Sequence, residues 1–326
     1  MTTPTPLTAA PADIRAALTA TVQARARVPD ALYNAVISCN NERIISEYRE
    51  YCNERATLPL SEWQDPIDKS NVLHRLVRLV AEHFPDAARD RVMPALHYIW
   101  ASDNGATLIE QRDADGCTPL HLALGFGMHR LTRVEFLDAR CLSNRTDLDV
   151  HLLDADGQSA FVRAIAHTSN NPTASFKLLK HTFGVFKKTA RFAFDRADRR
   201  YGLPPLFYAA IFNNVPAARF LIEVVRVSPS SIWQGESSTV ALFCARYCCG
   251  PDVFRYMASK FDPDCDKDAY GHTVKYYLND LSPAETYVAT RLVMQRIYNQ
   301  AAQARAEERV RTITKETLQN YQLRKL

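Results

Sequence analysis

The sequence lacks the features that would mark a membrane, secreted or fibrous protein. No apolar run approaches the roughly 18 residues that a membrane-crossing helix needs. Residues 1–18 show no basic patch followed by an apolar stretch, so they do not resemble a secretory signal. Eight cysteines among 326 residues are too few for a disulfide-held scaffold. We therefore expect a reducing compartment, the cytoplasm or the nucleus.

Glycine is also scarce, and the sequence motifs of common enzymes are missing. The chain has ten glycines, and it contains no glycine-rich phosphate loop, no Gly-x-Ser-x-Gly, no His-Glu-x-x-His and no kinase motif. Turn positions already account for four of the ten: Gly116, Gly157, Gly202 and Gly271. We therefore expect a protein without catalytic residues, cofactor or metal ion.

What the sequence does contain is an ordinary soluble composition. Hydrophobic residues make up 47% and charged residues 23%, which suits a protein with a packed core and excludes a disordered or collagen-like chain. The formal net charge of +4 is too small to indicate a particular partner.

One segment, Asp113–Leu124, has a clear turn-and-helix pattern, Asp-Ala-Asp-Gly-Cys-Thr-Pro-Leu-His-Leu-Ala-Leu. Asp115-Gly116 predicts a tight turn, because glycine takes a positive φ without penalty. Thr118 is placed to cap a helix whose first residue is Pro119. Weaker copies recur along the chain at intervals of 33 to 47 residues. Counting this segment, the predicted core positions are Leu32, Leu73, Leu120, Phe161, Leu206, Leu242 and Lys275.

The segment resembles the ankyrin signature Asp-x-x-Gly-x-Thr-Pro-Leu-His-x-Ala, which has a period of about 33 residues. The resemblance implies an all-α solenoid of about seven stacked helix-turn-helix units with short hairpins and long insertions. We expect a disordered tail at 1–12, the solenoid with N-terminal capping helices at 13–281, and a C-terminal capping helix with a frayed end at 282–326. In that family the histidine matching His121 holds the hairpin to the helix, and His74 occupies the same place.

Other interpretations of these residues are weaker. The Asp-Ala-Asp-Gly copies at 113–116 and 154–157 lack the third acid of a calcium loop. Four cysteines and a histidine form the one conceivable zinc cluster, but the second cysteine pair of such a site is missing: Cys244, Cys248, Cys249, Cys265 and His272.

The family resemblance implies a monomeric scaffold that binds a partner protein through its hairpin tips and inner helices, with no membrane contact. The expected tip residues are Arg112, Asp113, Ala114, Asp154, Ala155, Arg199, Arg200 and Tyr201. The expected inner-helix residues are Leu122, Arg163 and Tyr208. Irregular repeats with long insertions resemble those of bacterial effectors and large DNA viruses, which implies a host-directed effector.

Two alternatives remain open. The C-terminal helix could make the protein an adaptor that recruits a substrate to a ubiquitin ligase or another enzyme. The insertion at 181–200 mixes phenylalanines with basic residues that include Lys187 and Lys188. These charges suit an acidic protein surface, and less well a nucleic acid, which would be bound by charge and stacking.

Overall fold

The computed structural model describes ten stretches of the chain: residues 29–84, 88–126, 153–167, 179–180, 196–230, 232–233, 237–260, 262, 266–279 and 288–323. These stretches are helical and contain no strand, only two isolated bridges, Leu153–Ser159 and Trp233–Ser238. None of the helices in them is long and apolar enough to cross a membrane. The all-α prediction is confirmed.

The chain divides after Val227 into two compact bodies. In the N-terminal body the α-helices are α1 (Asp30–Ile37), α2 (Asn41–Glu54), α3 (Val72–His83), α4 (Met93–Ala101), α5 (Asp103–Leu108), α6 (Pro119–Gly125), α7 (Ala160–His167), α8 (Pro205–Ile211) and α9 (Val215–Arg219), the last continued by a π-helical turn (Phe220–Val225). Helix α3 packs on α6, α6 on α7 and α7 on α8, so the first helices of successive repeats form a stack.

The C-terminal body contains α10 (Val240–Tyr247), α11 (Pro251–Lys260), α12 (Val274–Asn279) and α13 (Val288–Leu323). Helix α10 packs on α11 and α12, and α13 packs on both α11 and α12. The buried side chains of α13 are Met294, Ile297 and Tyr298. Lys275, at the predicted core position of the last repeat, is exposed.

Helix starts follow the chemistry that the sequence predicts. Thr118 is the N-cap of α6: its hydroxyl accepts the His121 N–H, and Pro119 is the first helical residue. Asn71 caps α3 in the same way with His74. In each case the third helical residue returns a bond to the cap, forming a capping box that satisfies backbone donors at the helix end.

The seven predicted core positions all lie in first helices of repeats. The register differs in the repeat of α10, where the N-cap is Thr239. By analogy with Thr118 and Leu120, the residue equivalent to Leu120 there is Ala241, whereas the predicted Leu242 lies one position later and is fully buried.

Glycines at the hairpin tips allow successive hairpins to approach closely. Gly116 and Gly157 have φ values of +72° and +78°. A Cβ atom added to Gly116 would lie 2.5 Å from the Ala155 nitrogen, and one added to Gly157 would lie 2.5 Å from the Arg199 nitrogen. These positions therefore require glycine both for backbone conformation and for space.

We predict that Gly157→Ala lowers the urea midpoint of unfolding more than Gly271→Ala does. Gly271 has a similar φ of +80° but no atom within 4 Å of the added Cβ. Both substitutions carry backbone strain of about 1–2 kcal/mol, and only Gly157→Ala also pushes the next hairpin away. Circular dichroism at increasing urea measures the two midpoints. Equal shifts would contradict the role assigned to close hairpin stacking.

Candidate functional site

Five of the described hairpins are organised around an aspartate carboxylate. Asp154 Oδ1 accepts the Gln158 N–H at 2.8 Å, and Asp113 Oδ1 accepts the N–H groups of Asp115 and Cys117 at 3.1 and 2.8 Å. Such bonds satisfy backbone donors that a tight turn would otherwise leave unpaired. The carboxylate thereby fixes the shape of the hairpin.

The second carboxylate oxygen is bound by a side chain of the first helix of the same repeat. Arg163 Nη2 donates to Asp154 Oδ2 at 2.8 Å, and the Tyr208 hydroxyl donates to Asp198 Oδ2 at 2.7 Å. The same arrangement pairs Arg75 with Asp65 and Tyr277 with Asp268. The spacing from aspartate to partner is nine or ten residues in all four repeats.

The repeat that best matches the signature is the exception. Leu122 lies nine positions after Asp113 and cannot donate a hydrogen bond. Arg78, from α3 of the preceding repeat, takes this place: its Nη2 donates to Asp113 Oδ2 at 2.8 Å, and its side chain is only 2% exposed. The arginine thus joins one repeat to the next.

These contacts correct the sequence-based site. Asp113 and Asp154 were expected to project from the hairpin tips, and Leu122, Arg163 and Tyr208 to line an exposed inner surface. All five side chains are buried. The expectation of exposure is wrong for them, because the aspartates hold the hairpins from inside, Arg163 pairs with Asp154, and Tyr208 donates to Asp198. A recurring Asp followed nine or ten residues later by Arg or Tyr was the signal in the sequence.

Histidines join neighbouring repeats, as the family resemblance implied. Nδ1 of His74 accepts the Asn71 N–H at 3.2 Å, so Nε2 carries the hydrogen that it donates to the Cys117 carbonyl at 2.8 Å. His121 repeats this pattern one repeat later with the Gln158 carbonyl, at 3.2 Å. Because both ring nitrogens are used in packing contacts, the structural role predicted for the two histidines is supported by the geometry.

Burial sets the protonation of these groups. The pKa of His74 is lowered to about 3, mainly by desolvation and also by the nearby Arg78 charge, while the bond to the Cys117 carbonyl acts in the opposite direction. Desolvation also raises the pKa values of the Asp154 and Asp113 carboxyls, while Arg163 and Arg78 respectively oppose that rise. A buried charge is tolerated only when such partners are present.

The remaining tip residues form a row that we call the tip row: Arg112, Ala114, Ala155, Arg199, Arg200 and Tyr201. All are exposed except Tyr201, which is half-buried. Backbone bonds between successive hairpins set the spacing of the tip row. The Ala114 N–H donates to the Asp68 carbonyl at 2.8 Å. The N–H groups of Ala155 and Arg200 donate to the carbonyls of Asp115 and Asp156, each at 3.0 Å. The tips are therefore held in register by the chain itself.

The three tip-row arginines differ in their own contacts. Arg112 donates to the Leu153 carbonyl at 2.8 Å, and Arg200 forms an exposed ion pair with Asp156 at 2.7 Å. The stem of Arg199 lies against Gly157, and no carboxylate among the described residues forms an ion pair with its guanidinium. Arg199 therefore has the least committed charge of the three.

Two predicted binding residues, Lys187 and Lys188, lie outside the described residues, as does most of the insertion at 181–200. Cys265 of the conceivable zinc cluster lies outside them too. In the described stretches no group of three His, Cys, Asp or Glu side chains is arranged to hold a metal ion.

Solved structures similar to this chain are ankyrin repeat domains. The ankyrin repeat domain of Bcl-3, a member of the IkappaB family, matches with a TM-score of 0.54 at 15% identity, covering 80% of this chain and 97% of that domain. Human ASB11 matches with a TM-score of 0.49 at 15% identity over 82% and 98%, and an Acinetobacter baumannii domain with 0.45 at 18% over 71% and 97%. No protein-family profile and no curated protein sequence matches. The chain thus has the ankyrin-repeat fold.

We predict that Asp154→Ala destabilises the protein by about 3–5 kcal/mol, because it leaves the buried Arg163 charge without its partner. Asp115→Ala is the matched control: this aspartate is exposed at the tip of the preceding hairpin and should change stability by less than about 0.5 kcal/mol. Urea unfolding measures both. Similar losses for the two variants would refute the structural role of the buried carboxylate.

We also predict that stability falls on mild acidification because of His74. Its pKa in the folded protein lies well below the ordinary value of 6.5, so only the unfolded chain binds the proton, and the unfolding free energy decreases as pH falls below 6.5. The loss should reach about 2 kcal/mol between pH 7.5 and pH 5. His74→Gln should be less stable at pH 7.5 but should show a shallower decline. Parallel pH profiles of the two proteins would exclude this linkage.

Proposed function

We propose that this protein is a non-catalytic scaffold that binds a partner protein through the tip row of its N-terminal body. The single observation that carries the proposal is the tip row itself, in which exposed side chains are held in register by hairpin-to-hairpin bonds. The ankyrin-repeat fold is generally a protein-interaction module, which supports the same function. A pre-organised surface of this kind loses little conformational freedom on binding.

The partner surface that suits the tip row is acidic. Arginine is enriched among residues that dominate binding energy, since its planar group makes several directed bonds to carboxylates. Arg199 offers an exposed guanidinium for such a contact, with Arg200 beside it. Ala114 and Ala155 are small and exposed, so a partner can approach the backbone of the neighbouring hairpins closely.

The non-catalytic character rests on how the reactive groups are used. The buried carboxylates of Asp113, Asp154 and Asp198 hold hairpins, and His74 and His121 hold neighbouring repeats together. A general acid or base must reach a substrate, whereas these groups face the protein interior. They are therefore better explained as parts of the scaffold.

A second function, that of an adaptor using the C-terminal helix, is favoured by one observation. Every side chain from Ala306 to Thr317 of α13 is exposed. Arg305, just before this stretch, still contacts the rest of the C-terminal body, since it donates to the Ala258 carbonyl at 3.0 Å. Val310 and Ile313 are apolar residues in this exposed part. Such a helix could place its apolar stripe in the groove of another protein.

We predict that Arg199→Glu weakens partner binding about tenfold, which corresponds to about 1.4 kcal/mol, without changing the thermal midpoint. Affinity capture from a eukaryotic lysate, quantified by mass spectrometry, measures this; the choice of lysate follows the expectation of a host-directed protein. Arg91→Glu is the control, because Arg91 is an exposed arginine away from the hairpins.

A truncation that removes residues 310–326 separates the two functions. It spares the buried Met294, Ile297 and Tyr298 and the contacts of Arg305 and Arg309 with Asp262. Partners that survive the truncation but are lost with Arg199→Glu support the tip row. Partners lost only with the truncation would replace the tip-row proposal with the adaptor function.

A further inference from the structure

The last hairpin, Asp268–His272, has an uncovered face. In the N-terminal body the next hairpin covers Gly116 and Gly157 so closely that an added Cβ would lie 2.5 Å from its backbone. Gly271 has the same left-handed conformation, and an added Cβ would meet nothing within 4 Å. The molecule itself thus shows what such a face normally contacts, namely the backbone of a further hairpin.

The backbone of this hairpin has an available acceptor. The carbonyls of Asp115 and Asp156, the third residues of their hairpins, accept N–H groups of the following hairpins at 3.0 Å. Tyr270 is the third residue of the last hairpin, and no N–H group of the described residues donates to its carbonyl. An incoming segment could therefore form the bond that the internal hairpins form with each other.

Aromatic side chains beside this acceptor are held in fixed positions. The His272 ring is parallel to the Tyr276 ring, with centroids 3.9 Å apart and an interplanar angle of 2°. Tyr277 contacts both rings edge-on and is itself anchored by its bond to Asp268. Tyr270 and Tyr276 remain 64% and 51% exposed. Exposed but rigid aromatic rings are typical of residues that dominate protein interfaces.

A cavity of about 430 Å³ lies next to Tyr276 and is lined by Thr273, Lys275, Tyr276 and Asn279. His272, which stacks on one face of the Tyr276 ring, is not among the residues that line it. Lys275 lines this cavity and is exposed, whereas the carboxylate of Asp268 is buried inside its hairpin. The charge that the lining residues present at the cavity is therefore positive.

We propose that this face, made by Tyr270, Gly271, His272, Lys275 and Tyr276 and here called the end face, docks an acidic peptide segment of a partner protein that carries an aromatic side chain. A backbone N–H of the segment bonds to the Tyr270 carbonyl, its aromatic ring stacks on Tyr276, and its carboxylate meets Lys275. The end face belongs to the C-terminal body and is separate from the tip row, so either surface can fail without the other.

A second copy of the chain fits the end face poorly. A two-fold arrangement would bring the lysines of both copies together. A head-to-tail arrangement would need a donor on the first described hairpin, but Pro66 has no N–H, and the Ile67 N–H donates to Asp65 Oδ1 at 2.8 Å. Charge and hydrogen bonding thus both favour a different, acidic partner.

Selection of random 12-residue peptides displayed on phage tests the proposal with the full-length protein. We expect enriched peptides to contain an aromatic residue together with Asp or Glu. A synthetic copy of the most enriched peptide, measured by fluorescence anisotropy, should bind at least tenfold more weakly to Tyr276→Ala and to Lys275→Glu. Binding should be unchanged in the controls Tyr98→Ala and Lys69→Glu, which alter an exposed tyrosine and an exposed lysine elsewhere. It should also be unchanged in Arg199→Glu, which tests the tip row alone.

Several results would overturn the proposal. The proposal is wrong if the enriched peptides lack acidic residues. It is also wrong if they bind Tyr276→Ala as tightly as the unaltered protein, or if no peptide is enriched. Dimerisation in analytical ultracentrifugation that Tyr276→Ala abolishes would assign the end face to a second copy. Binding of a single-stranded oligothymidine that depends on Tyr276 and Lys275, in place of peptide binding, would assign it to nucleic acid.

Discussion

The aspartate carboxylate inside five of the hairpins, buried in all of them but that of Asp65, is the constraint on which the other contacts depend. An aspartate at the start of the turn pairs backbone N–H groups, but a buried one places a negative charge in a desolvated site. Arg163 neutralises that charge and Tyr208 donates a hydrogen bond to it from within their own repeats, and Arg78 neutralises it across a repeat boundary. The repeats thus use different residues, an arginine or a tyrosine, to donate to the same Oδ2 atom of the hairpin aspartate.

The same arrangement explains why the outer parts of the hairpins are available for binding. Because the aspartates and their partners act from inside, the shape of a tip does not depend on the residues that project from it. Arg199 is an example, since only its stem contributes to packing, over Gly157. Substitutions at exposed tips can change what is bound while the scaffold is retained, a division of roles that suits interaction modules.

The sequence predicted the parts of the structure that arise from local chemistry. The cap formed by Thr118 and His121 and the glycine turns depend on residues within one repeat, and the structure has them as expected. The positions of Leu122, Arg163 and Tyr208 were misjudged, because their side chains meet partners that come close only after the hairpin folds back on its helix. Leu242 is buried as a core position should be, but it lies three residues after its cap Thr239, whereas Leu120 lies two residues after Thr118. The available carbonyl of Tyr270 could not be predicted either. It depends on whether another hairpin of the folded chain lies close enough to donate to it, and none of the described ones does.

The bond between Arg78 and Asp113 has a consequence for how such a chain can change over evolutionary time. A repeat whose aspartate is satisfied internally, as Asp154 is by Arg163, can be copied or exchanged as a self-sufficient segment. The repeat of Asp113 cannot, because Leu122 provides no bond and the required arginine is encoded 35 residues upstream. Gene duplication or recombination between these two repeats would separate a buried charge from its counter-charge. We therefore expect the segment from α3 to α6 to be retained as one piece, although it resembles two interchangeable ones.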